Sequence, residues 1–425
     1  MLLGFTIFLL VLLFAGMPVG FSLCMAGLTG MFLFMDGTAV LTQLPMIAYK
    51  TLDDFVLTAV PLYILMSHIL LIGKVGNDLF ELGNKWLRHL PGGLGVATVF
   101  ACAIFAAIAG SSVATAVTIG AMAIPEMIKR NYERSAVLGT VAAGGTLGIL
   151  IPPSIPMILY GSITGESVGK LFISGIVPGI MMTLFFVILV VFQSKHLPLQ
   201  PVASWQERFS ALRKSFWGLL LPLIVVGGIY SGAFTPTEAA AVGTLYSLFI
   251  TFFIYRTITL RQMPEILTET VKTTSMIFAI MIGAMLFGFV LTVLQVPQQL
   301  TEFVAQMEAS RWVVLLGINI LLLILGCILE TVSIILITLP ILYPIIIELG
   351  FDPIWFNVIM LINMELALIT PPIGMNLFVI QGISPESKME QIIRGSMPFA
   401  AFMVLEMIIL CVFPELVTWL PNVIK

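Results

Sequence analysis

Apolar runs long enough to cross a bilayer fill most of this chain, and they restrict its fold more than any other feature. Hydrophobic residues form 59% of the 425-residue sequence and charged residues only 10%, compared with about 25% charged residues in soluble domains. Inside lipid, every backbone polar group must be satisfied within a helix or a closed barrel. The runs lack the alternation of half-buried strands, so the sequence predicts an all-α polytopic membrane protein.

The sequence carries few signs of catalytic or metal chemistry. Its four cysteines and three histidines are dispersed, and neither a phosphate-binding loop nor a nucleophile motif occurs. We therefore expect no enzyme activity and no nucleic-acid partner. The N-terminus is apolar up to the first basic residue, Lys50. Because it lacks the basic segment and cleavage site of a signal peptide, it is expected to remain as the first span.

Two apolar stretches differ from ordinary passes because each is interrupted halfway. Residues 92–128 are interrupted by Gly110-Ser111-Ser112, and residues 312–347 by Glu330-Thr331. Each arm of about 15 residues spans about 22 Å, less than a hydrocarbon core of about 30 Å. We predict two re-entrant helical hairpins, with two tight-turned passes as the alternative. The predicted full passes are 2–33, 55–73, 135–163, 171–193, 216–233, 237–255, 273–295, 353–382 and 396–420.

Positively charged loops predict the orientation of these passes. The loops Lys195–Lys214, Arg256–Lys272 and Lys388–Arg394 are basic and fall on one side of the predicted pass order, which is therefore cytoplasmic. The N-terminus is then inside and the C-terminus outside. The second hairpin is flanked mainly by acidic residues, so it is expected to open on the opposite side from the first.

The segment 197–215 breaks the apolar pattern between two groups of spans. Trp205, Phe209, Leu212 and Phe216 recur at helical spacing, with charged residues between them. This pattern predicts an interfacial helix that links two halves of the protein. An amphipathic contact to another subunit is equally compatible with it.

The proline pattern indicates an internal repeat. Pro152-Pro153 and Pro371-Pro372 are 219 residues apart (371 minus 152), and the same offset aligns Pro125 with Pro344 and the interruptions of the two hairpins. An odd number of passes separates equivalent spans, so the two copies are predicted to be inverted. Internal inverted repeats with broken helices are typical of secondary transporters, although composition bias alone also produces isolated proline matches.

Both Pro-Pro stretches are predicted to interrupt a helix near the middle of the membrane. Proline frees carbonyl oxygens, which suit a hard cation such as Na+, and a helix that restarts after the break presents an N-terminus that favours anions. We pair each hairpin interruption with the break of its own repeat. The candidate Na+ residues are Gly110, Ser111, Ser112, Gly148, Ile151, Pro152 and Ser154 in the first site, and Glu330, Thr331, Ser333, Thr370, Pro371, Gly374 and Asn376 in the second. The candidate substrate-binding residues are Ser111, Ser154 and Asn376.

The chain divides at these elements, and the assignment of its parts to a transport body of both repeats and a scaffold of the remaining spans is implied by the family resemblance given next. The divisions are 1–73 (scaffold spans), 74–170 (first-repeat transport elements, with hairpin 92–128 and broken helix 135–163), 171–295 (scaffold spans with linker 197–215), 296–395 (second-repeat transport elements, with hairpin 312–347 and broken helix 353–382) and 396–425 (a C-terminal span).

Four motifs together resemble a known family over essentially the whole chain. They are GSSVATAVTIGAMAIPEM (110–127), LGILIPPSIPMILYG (147–161), GAFTPTEAAAVG (232–243) and ITPPIGMNLFVIQG (369–382). The chain resembles the large membrane subunit of tripartite ATP-independent periplasmic (TRAP) transporters. The resemblance implies an inner-membrane, elevator-type importer in which sodium drives uptake of an organic acid, of the C4-dicarboxylate or sialic-acid type. It also implies a periplasmic substrate-binding protein and a small membrane subunit, expected here as a separate chain.

Individual polar residues have competing interpretations. Glu330 is either a functional carboxylate or a cap of the second hairpin arm. The TPTE motif at 235–238 predicts a capping box. His68 is expected to be a satisfied buried histidine and not a proton relay, and Glu365 to bond a neighbouring helix.

The sequence thus predicts a sodium-coupled importer of a small organic anion, lodged in the lipid bilayer. One alternative is a single-component sodium–dicarboxylate symporter with the same hairpin architecture. An alternative of another class is a channel-like, ion-translocating subunit.

Overall fold

Every regular element of the described chain is helical. The computed structural model describes residues 2–35, 37–306 and 310–423. Its α-helices are α1 (Leu2–Phe14), α2 (Val19–Phe34), α3 (Gly37–Leu52), α4 (Ala59–Ile72), α5 (Val75–Leu87), α6 (Gly93–Ala109), α7 (Ser112–Lys129), α8 (Arg134–Leu150), α9 (Ile155–Thr164), α10 (Val168–Ser174), α11 (Ile176–Gln193), α12 (Trp205–Tyr230), α13 (Pro236–Phe249), α14 (Met263–Val293), α15 (Val296–Gln306), α16 (Arg311–Gly326), α17 (Thr331–Glu348), α18 (Pro353–Leu368), α19 (Met375–Ile383), α20 (Met389–Val412) and α21 (Glu415–Val423). A 3-10 turn, Phe55–Thr58, precedes α4, and a π-helical turn, Ile250–Ile254, follows α13.

Eight helical stretches of the described chain are long and apolar enough to cross a membrane. They are Phe55–Ile72, Arg134–Thr164, Val168–Gln193, Trp205–Tyr230, Pro236–Ile254, Met263–Val293, Thr331–Glu348 and Met389–Val412. This result confirms the predicted all-α polytopic membrane fold.

The predicted first pass, 2–33, is wrong as a single helix. Helix α1 ends at Phe14 and α2 begins at Val19. Between them, Gly16 has a φ of +80°, and Pro18 has no amide hydrogen to continue the helical pattern. The apolar run is therefore two helices. The prediction missed the turn because its residues do not interrupt the apolar composition.

The predicted linker helix over 197–215 is also wrong in its bounds. Helix α12 begins at Trp205 and continues without a break into the following span, to Tyr230. A capping box starts it, since the Ser204 hydroxyl accepts from the Glu207 amide while the Glu207 carboxylate accepts from the Ser204 amide. Lys85 of α5 lies 2.6 Å from the same carboxylate. The amphipathic first turns therefore pack on α5.

The predicted passes 353–382 and 396–420 are each two helices. Helix α18 ends at Leu368 and α19 begins at Met375, on either side of Pro371-Pro372. Helix α20 starts earlier than predicted and ends at Val412, after which Pro414 precedes the short α21. The predicted pass 135–163 likewise divides into α8 and α9 around Pro152-Pro153. Both Pro-Pro peptide bonds are cis.

The two hairpins have arms of similar length. Helices α6 and α7 contain 17 and 18 residues, and α16 and α17 contain 16 and 18, so each arm is about 24–27 Å long. Their re-entry from one side of the membrane, and the inverted relation between the repeats, remain predictions.

Helices α8 and α18 form the most enclosed part of the described chain. Every residue of α8 from Val137 onward and every residue of α18 from Trp355 onward is buried. Helix α20 packs against both. A Cβ on Gly395 of α20 would collide with the Ser135 carbonyl of α8. On the other side, the Trp355 indole donates to the Leu410 carbonyl at 2.8 Å. The first break is therefore enclosed by protein, as its free polar groups require, whereas Pro372 and Ile373 of the second break are exposed.

An ion pair joins the start of α8 to the loop before α20. Arg134, at the start of α8, lies 3.6 Å from the carboxylate of Glu386, in the loop before α20. The pKa of the Glu386 carboxyl is lowered, first by the backbone amide of Glu386 itself, then by the Ser384 hydroxyl and the charge of Arg134.

Candidate functional site

The interruption of the first hairpin is a sharp turn that restarts a helix. Gly110 has a φ of +58°, a conformation that a glycine adopts without steric cost. Ser111 then caps α7, and its hydroxyl accepts from the Ala114 amide at 3.4 Å. The second arm of the hairpin therefore begins with a capped N-terminus at the tip.

This tip lies directly against the first broken helix. A Cβ on Gly148 of α8 would lie 2.5 Å from the Ser111 carbonyl and 2.8 Å from the Ser112 amide nitrogen. The Ser112 hydroxyl donates to the Thr146 carbonyl at 3.4 Å. A Cβ on Gly110 would lie 2.8 Å from the carbonyl oxygen of Pro153. The structure thus brings together the tip and break residues that the sequence paired.

The residues of the first break face two different environments. The side chains of Ile151 and Pro152 line an apolar groove of about 690 Å³ between α6, α11 and α12. Ser154 is fully buried at the start of α9, and its hydroxyl has no hydrogen-bond partner among the described residues. Any ion contact by Ile151 or Pro152 would therefore come from their backbone carbonyls.

The second tip is longer than predicted, and a cysteine contacts the second break. Helix α16 ends at Gly326 and α17 begins at Thr331, so the turn comprises residues 327–330. The Cys327 thiol lies 3.8 Å from the Thr370 carbonyl oxygen and 3.6 Å from that of Pro371. The sequence predicted no role for this cysteine. The signal that could have identified it was its position three residues before Glu330.

The second break presents further polar groups. The Thr370 hydroxyl donates to the Leu366 carbonyl at 2.6 Å. Gly374 has a φ of +53° and precedes α19. The Asn376 amide group donates to the Ala142 carbonyl of α8 at 3.2 Å, while its buried side-chain oxygen has no partner among the described residues. Ser333 is buried within α17.

A cavity of about 370 Å³ joins the two tips. Ser111 and Ser112 line it from the first tip, and Glu330 and Thr331 line it from the second. The start of α9 contributes Ile155 and Pro156, and residues on both sides of the second break contribute Leu368 and Met375. The remaining wall is formed by Ile64, Ser67, His68 and Leu71 of α4 and by Thr273 and Ile277 of α14. Both tips therefore meet in one cavity.

Glu330 and His68 are the titratable side chains of this cavity within the described part of the chain. Glu330 occupies the N-cap position of α17, but its side chain makes no capping hydrogen bond. The alternative of a capping carboxylate is therefore not observed. His68 is bonded at one ring nitrogen, since Nδ1 lies 3.1 Å from the Thr270 hydroxyl of α14. Sequence reasoning missed its place in the cavity wall, because α4 and α14 are about 200 residues apart.

Two buried carboxyl groups lie outside this cavity. Glu365 of α18 and Glu406 of α20 are both 0% exposed, and their oxygens have no geometrically acceptable hydrogen-bond partner among the described residues. Glu365 lies near the backbone of Ile149 and Leu150 at the end of α8, and near Glu406. Its side chain therefore faces a neighbouring helix, but the bond predicted there is not well formed.

Comparison with known proteins identifies the family. Residues 6–416 match the model of the family described as tripartite ATP-independent periplasmic transporter, DctM component. A C4-dicarboxylate TRAP transporter large permease protein of Pseudomonas aeruginosa is 44% identical over 376 residues, 88% of each chain. A sialic acid TRAP transporter large permease protein of Vibrio cholerae is 34% identical over 414 residues, covering 97% of this chain and 96% of that one.

A solved structure of low sequence identity has a similar fold. The YdaH transporter of Alcanivorax borkumensis superposes with a TM-score of 0.64 at 13% identity, covering 90% of this chain and 88% of that one. At this identity, the likeness concerns the fold alone.

Proposed function

This chain belongs to the DctM component family of TRAP transporters, and we propose that it imports a small organic acid across the inner membrane, driven by sodium. One observation carries the proposal, namely the cavity bounded by both hairpin tips and by residues next to both broken helices. Membrane-buried cavities at the meeting point of broken helices are the usual binding sites of secondary transporters.

The polarity of the cavity suits an anion. Helices α7 and α17 both begin at its wall, at Ser111 and Glu330, and helix N-termini stabilise negative charge through their free amides and dipole. Ser111 adds a hydroxyl to the cavity wall. Ser154 and Asn376 are each next in sequence to a residue that lines the cavity, Ile155 and Met375 respectively. We propose these three as substrate contacts. The names of the relatives point to a C4-dicarboxylate or a sialic-acid-type substrate.

Sodium would be bound where the hairpin tips meet the breaks. Na+ prefers hard oxygen ligands such as carbonyls and hydroxyls, and each tip-and-break pair presents several of them. The unpaired oxygens of Ser154 and Asn376 support this placement, because buried polar atoms normally have a partner. The proposed ligands are those predicted from the sequence, with their backbone carbonyls as the main donors.

The movement that we propose follows from where the cavity lies. Its walls come from the hairpins and broken helices on one side and from α4 and α14 on the other. Sodium binding would order the tips and complete the anion site, and the loaded body would then shift against the scaffold. An ion can favour that state only through a difference in its affinity for the two states.

The proposed partners are a small membrane subunit and a periplasmic substrate-binding protein that delivers the acid. The proposed topology puts the N-terminus in the cytoplasm and the C-terminus in the periplasm. A C-terminal alkaline phosphatase fusion should be active in cells, because that enzyme folds only in the periplasm. If the phosphatase fusion is inactive and a C-terminal green fluorescent protein fusion is fluorescent, the C-terminus lies in the cytoplasm and the proposed topology is wrong.

Transport into liposomes tests the coupling. Vesicles that contain both membrane subunits, supplied with the loaded binding protein, should accumulate succinate or sialic acid only with an inward sodium gradient. Uptake that does not depend on the sodium gradient and follows a proton gradient would refute sodium coupling. Uptake by this chain alone would identify a single-component symporter, and steady conductance without gradient-driven accumulation would identify a channel.

Two substitutions test the ion sites separately. Ser112→Ala removes the hydroxyl bonded to Thr146, and Thr370→Ala removes the hydroxyl of the second break. Each should raise the sodium concentration that gives half-maximal uptake. Unchanged sodium curves in both variants would exclude these hydroxyls from the sites.

A further inference from the structure

We propose that His68 determines substrate specificity by accepting a hydrogen bond from a hydroxyl group of the transported acid. The inference rests on the proposed function, because it treats the cavity between the tips as the substrate site. It adds a chemical class to that function, a hydroxylated organic acid. His68 lines the cavity from α4, on the wall that does not belong to the hairpins.

The hydrogen bonds of Thr270 favour one tautomer of His68. A hydroxyl group has one hydrogen to donate, and Thr270 donates it to the Ile266 carbonyl at 2.8 Å. The His68 Nδ1 atom lies 3.1 Å from the same hydroxyl oxygen. That oxygen can then only accept, so Nδ1 carries a hydrogen and donates it. In a neutral imidazole, the other nitrogen, Nε2, must therefore be an acceptor.

The Nε2 atom is available to a ligand. Within residues 2–35, 37–306 and 310–423, no side chain or backbone group hydrogen-bonds it, and it is not among the enclosed unpaired atoms of that range. The ring belongs to the cavity wall. The acceptor lone pair of His68 is therefore unoccupied, and the cavity that this residue lines can supply its ligand.

The charged groups near His68 do not contact its ring. The nearest acidic residue on α14 is Glu269, whose carboxylate is held by Lys272 at 2.7 Å. Glu330 lines the same cavity from the second tip. Carboxylates of the substrate would be attracted by the helix N-termini at the tips, whereas a lone pair repels them. A hydroxyl group is the substrate feature that an acceptor on the scaffold wall can bind.

L-malate and succinate provide a matched pair of probes, because they differ by one hydroxyl group. A hydrogen bond of ordinary net strength changes the dissociation constant by about 2- to 12-fold. The purified complex of this chain with its small subunit should therefore bind L-malate more tightly than succinate by that factor. Titration calorimetry with sodium present measures both constants without the selectivity of the binding protein.

Three variants identify the residue responsible. His68→Phe keeps a planar ring and removes the acceptor, so the two acids should bind equally. His68→Gln keeps an acceptor and should restore part of the difference. His196→Phe makes the same change at an exposed histidine outside the cavity and should leave the ratio unchanged.

The outcomes separate this inference from the function on which it rests. Equal binding of both acids by the wild-type complex overturns the role of His68 and leaves the importer intact. A malate preference that persists in His68→Phe assigns the acceptor elsewhere, with Glu330 the obvious candidate, and also overturns it. If the wild-type complex loses both acids at high pH and His68→Phe does not, His68 acts as a protonated donor and not as an acceptor. If neither acid binds, the proposed C4-dicarboxylate substrate is wrong and the inference fails with it.

Discussion

Adding one methyl group at Gly148 should uncouple the first hairpin tip from the broken helix. In Gly148→Ala, the new Cβ would lie 2.5 Å from the carbonyl carbon and oxygen of Ser111 and 2.8 Å from the amide nitrogen of Ser112. These are backbone atoms of the tip, so they cannot rotate away as a side chain could. The tip must instead move by a few tenths of an ångström or more.

The expected size of the effect follows from the cost of overpacking. Inserting a methyl group into a packed interior costs about 1–3 kcal/mol. If that cost falls on the ordered tip that binds sodium, the half-saturating sodium concentration rises about 5- to 150-fold. A cost that falls on all states equally would lower the melting temperature without changing the sodium response.

Thermal unfolding followed by tryptophan fluorescence measures both quantities. A ligand at free concentration c that binds only the folded protein stabilises it by RT ln(1 + c/Kd), so fitting the rise of the melting temperature with sodium gives the half-saturating concentration, the sodium midpoint. Sodium would be titrated against choline, with ionic strength constant. Gly317→Ala is the matched control, because the same change in a hairpin arm meets nothing within 4 Å. It should leave both the melting temperature and the sodium midpoint close to the wild-type values.

The reasoning would be refuted by a Gly148→Ala protein with unchanged stability and an unchanged sodium midpoint. That result would mean that the tip is not held against α8 in the folded protein. A lowered melting temperature with a normal sodium midpoint would leave the packing intact but remove the proposed link between this contact and sodium.

Three further predictions concern other parts of the fold. Gly395→Ala forces a Cβ into the Ser135 carbonyl, so it should abolish the monodisperse peak in size-exclusion chromatography; a normal peak would contradict the close crossing of α8 and α20. Thr235→Ala removes the side-chain cap bonded to Glu238 and should lower stability by about 0.5–2 kcal/mol, seen as a lower melting temperature without any change in the sodium midpoint. In a variant that keeps Cys327 as its only cysteine, sodium should slow maleimide labelling if it holds the second tip as in this structure, where Cys327 is 6% exposed; labelling that does not depend on sodium would argue against ordering of the second tip.

Much of this fold could be predicted from the sequence, because a lipid bilayer constrains the length and polarity of each membrane span. Hydropathy located the spans, since each must supply about 20 apolar residues. The Thr235–Glu238 capping box was predicted and is present, because a cap is formed by residues three positions apart. The interruptions at Pro152-Pro153 and Pro371-Pro372 followed from the missing amide hydrogen of proline.

The errors in the helix bounds have a common cause. The turn near Gly16 and the end of α20 at Val412 lie within apolar surroundings, so hydropathy is nearly constant across them. The continuity of the linker into α12 was missed for the opposite reason. A change from amphipathic to apolar composition does not require the backbone to leave the helix.

The sequence by itself determined the membrane class, the helical interruptions and the polar residues at the tips, because these depend on the chemistry of residues close together along the chain. Only the tertiary structure decided that Cys327 touches the second break and that His68 completes the cavity wall opposite the two tips. These contacts join helices far apart in sequence. They depend on which helix faces fit together sterically, and a nearly uniform apolar composition does not encode that fit in any local pattern.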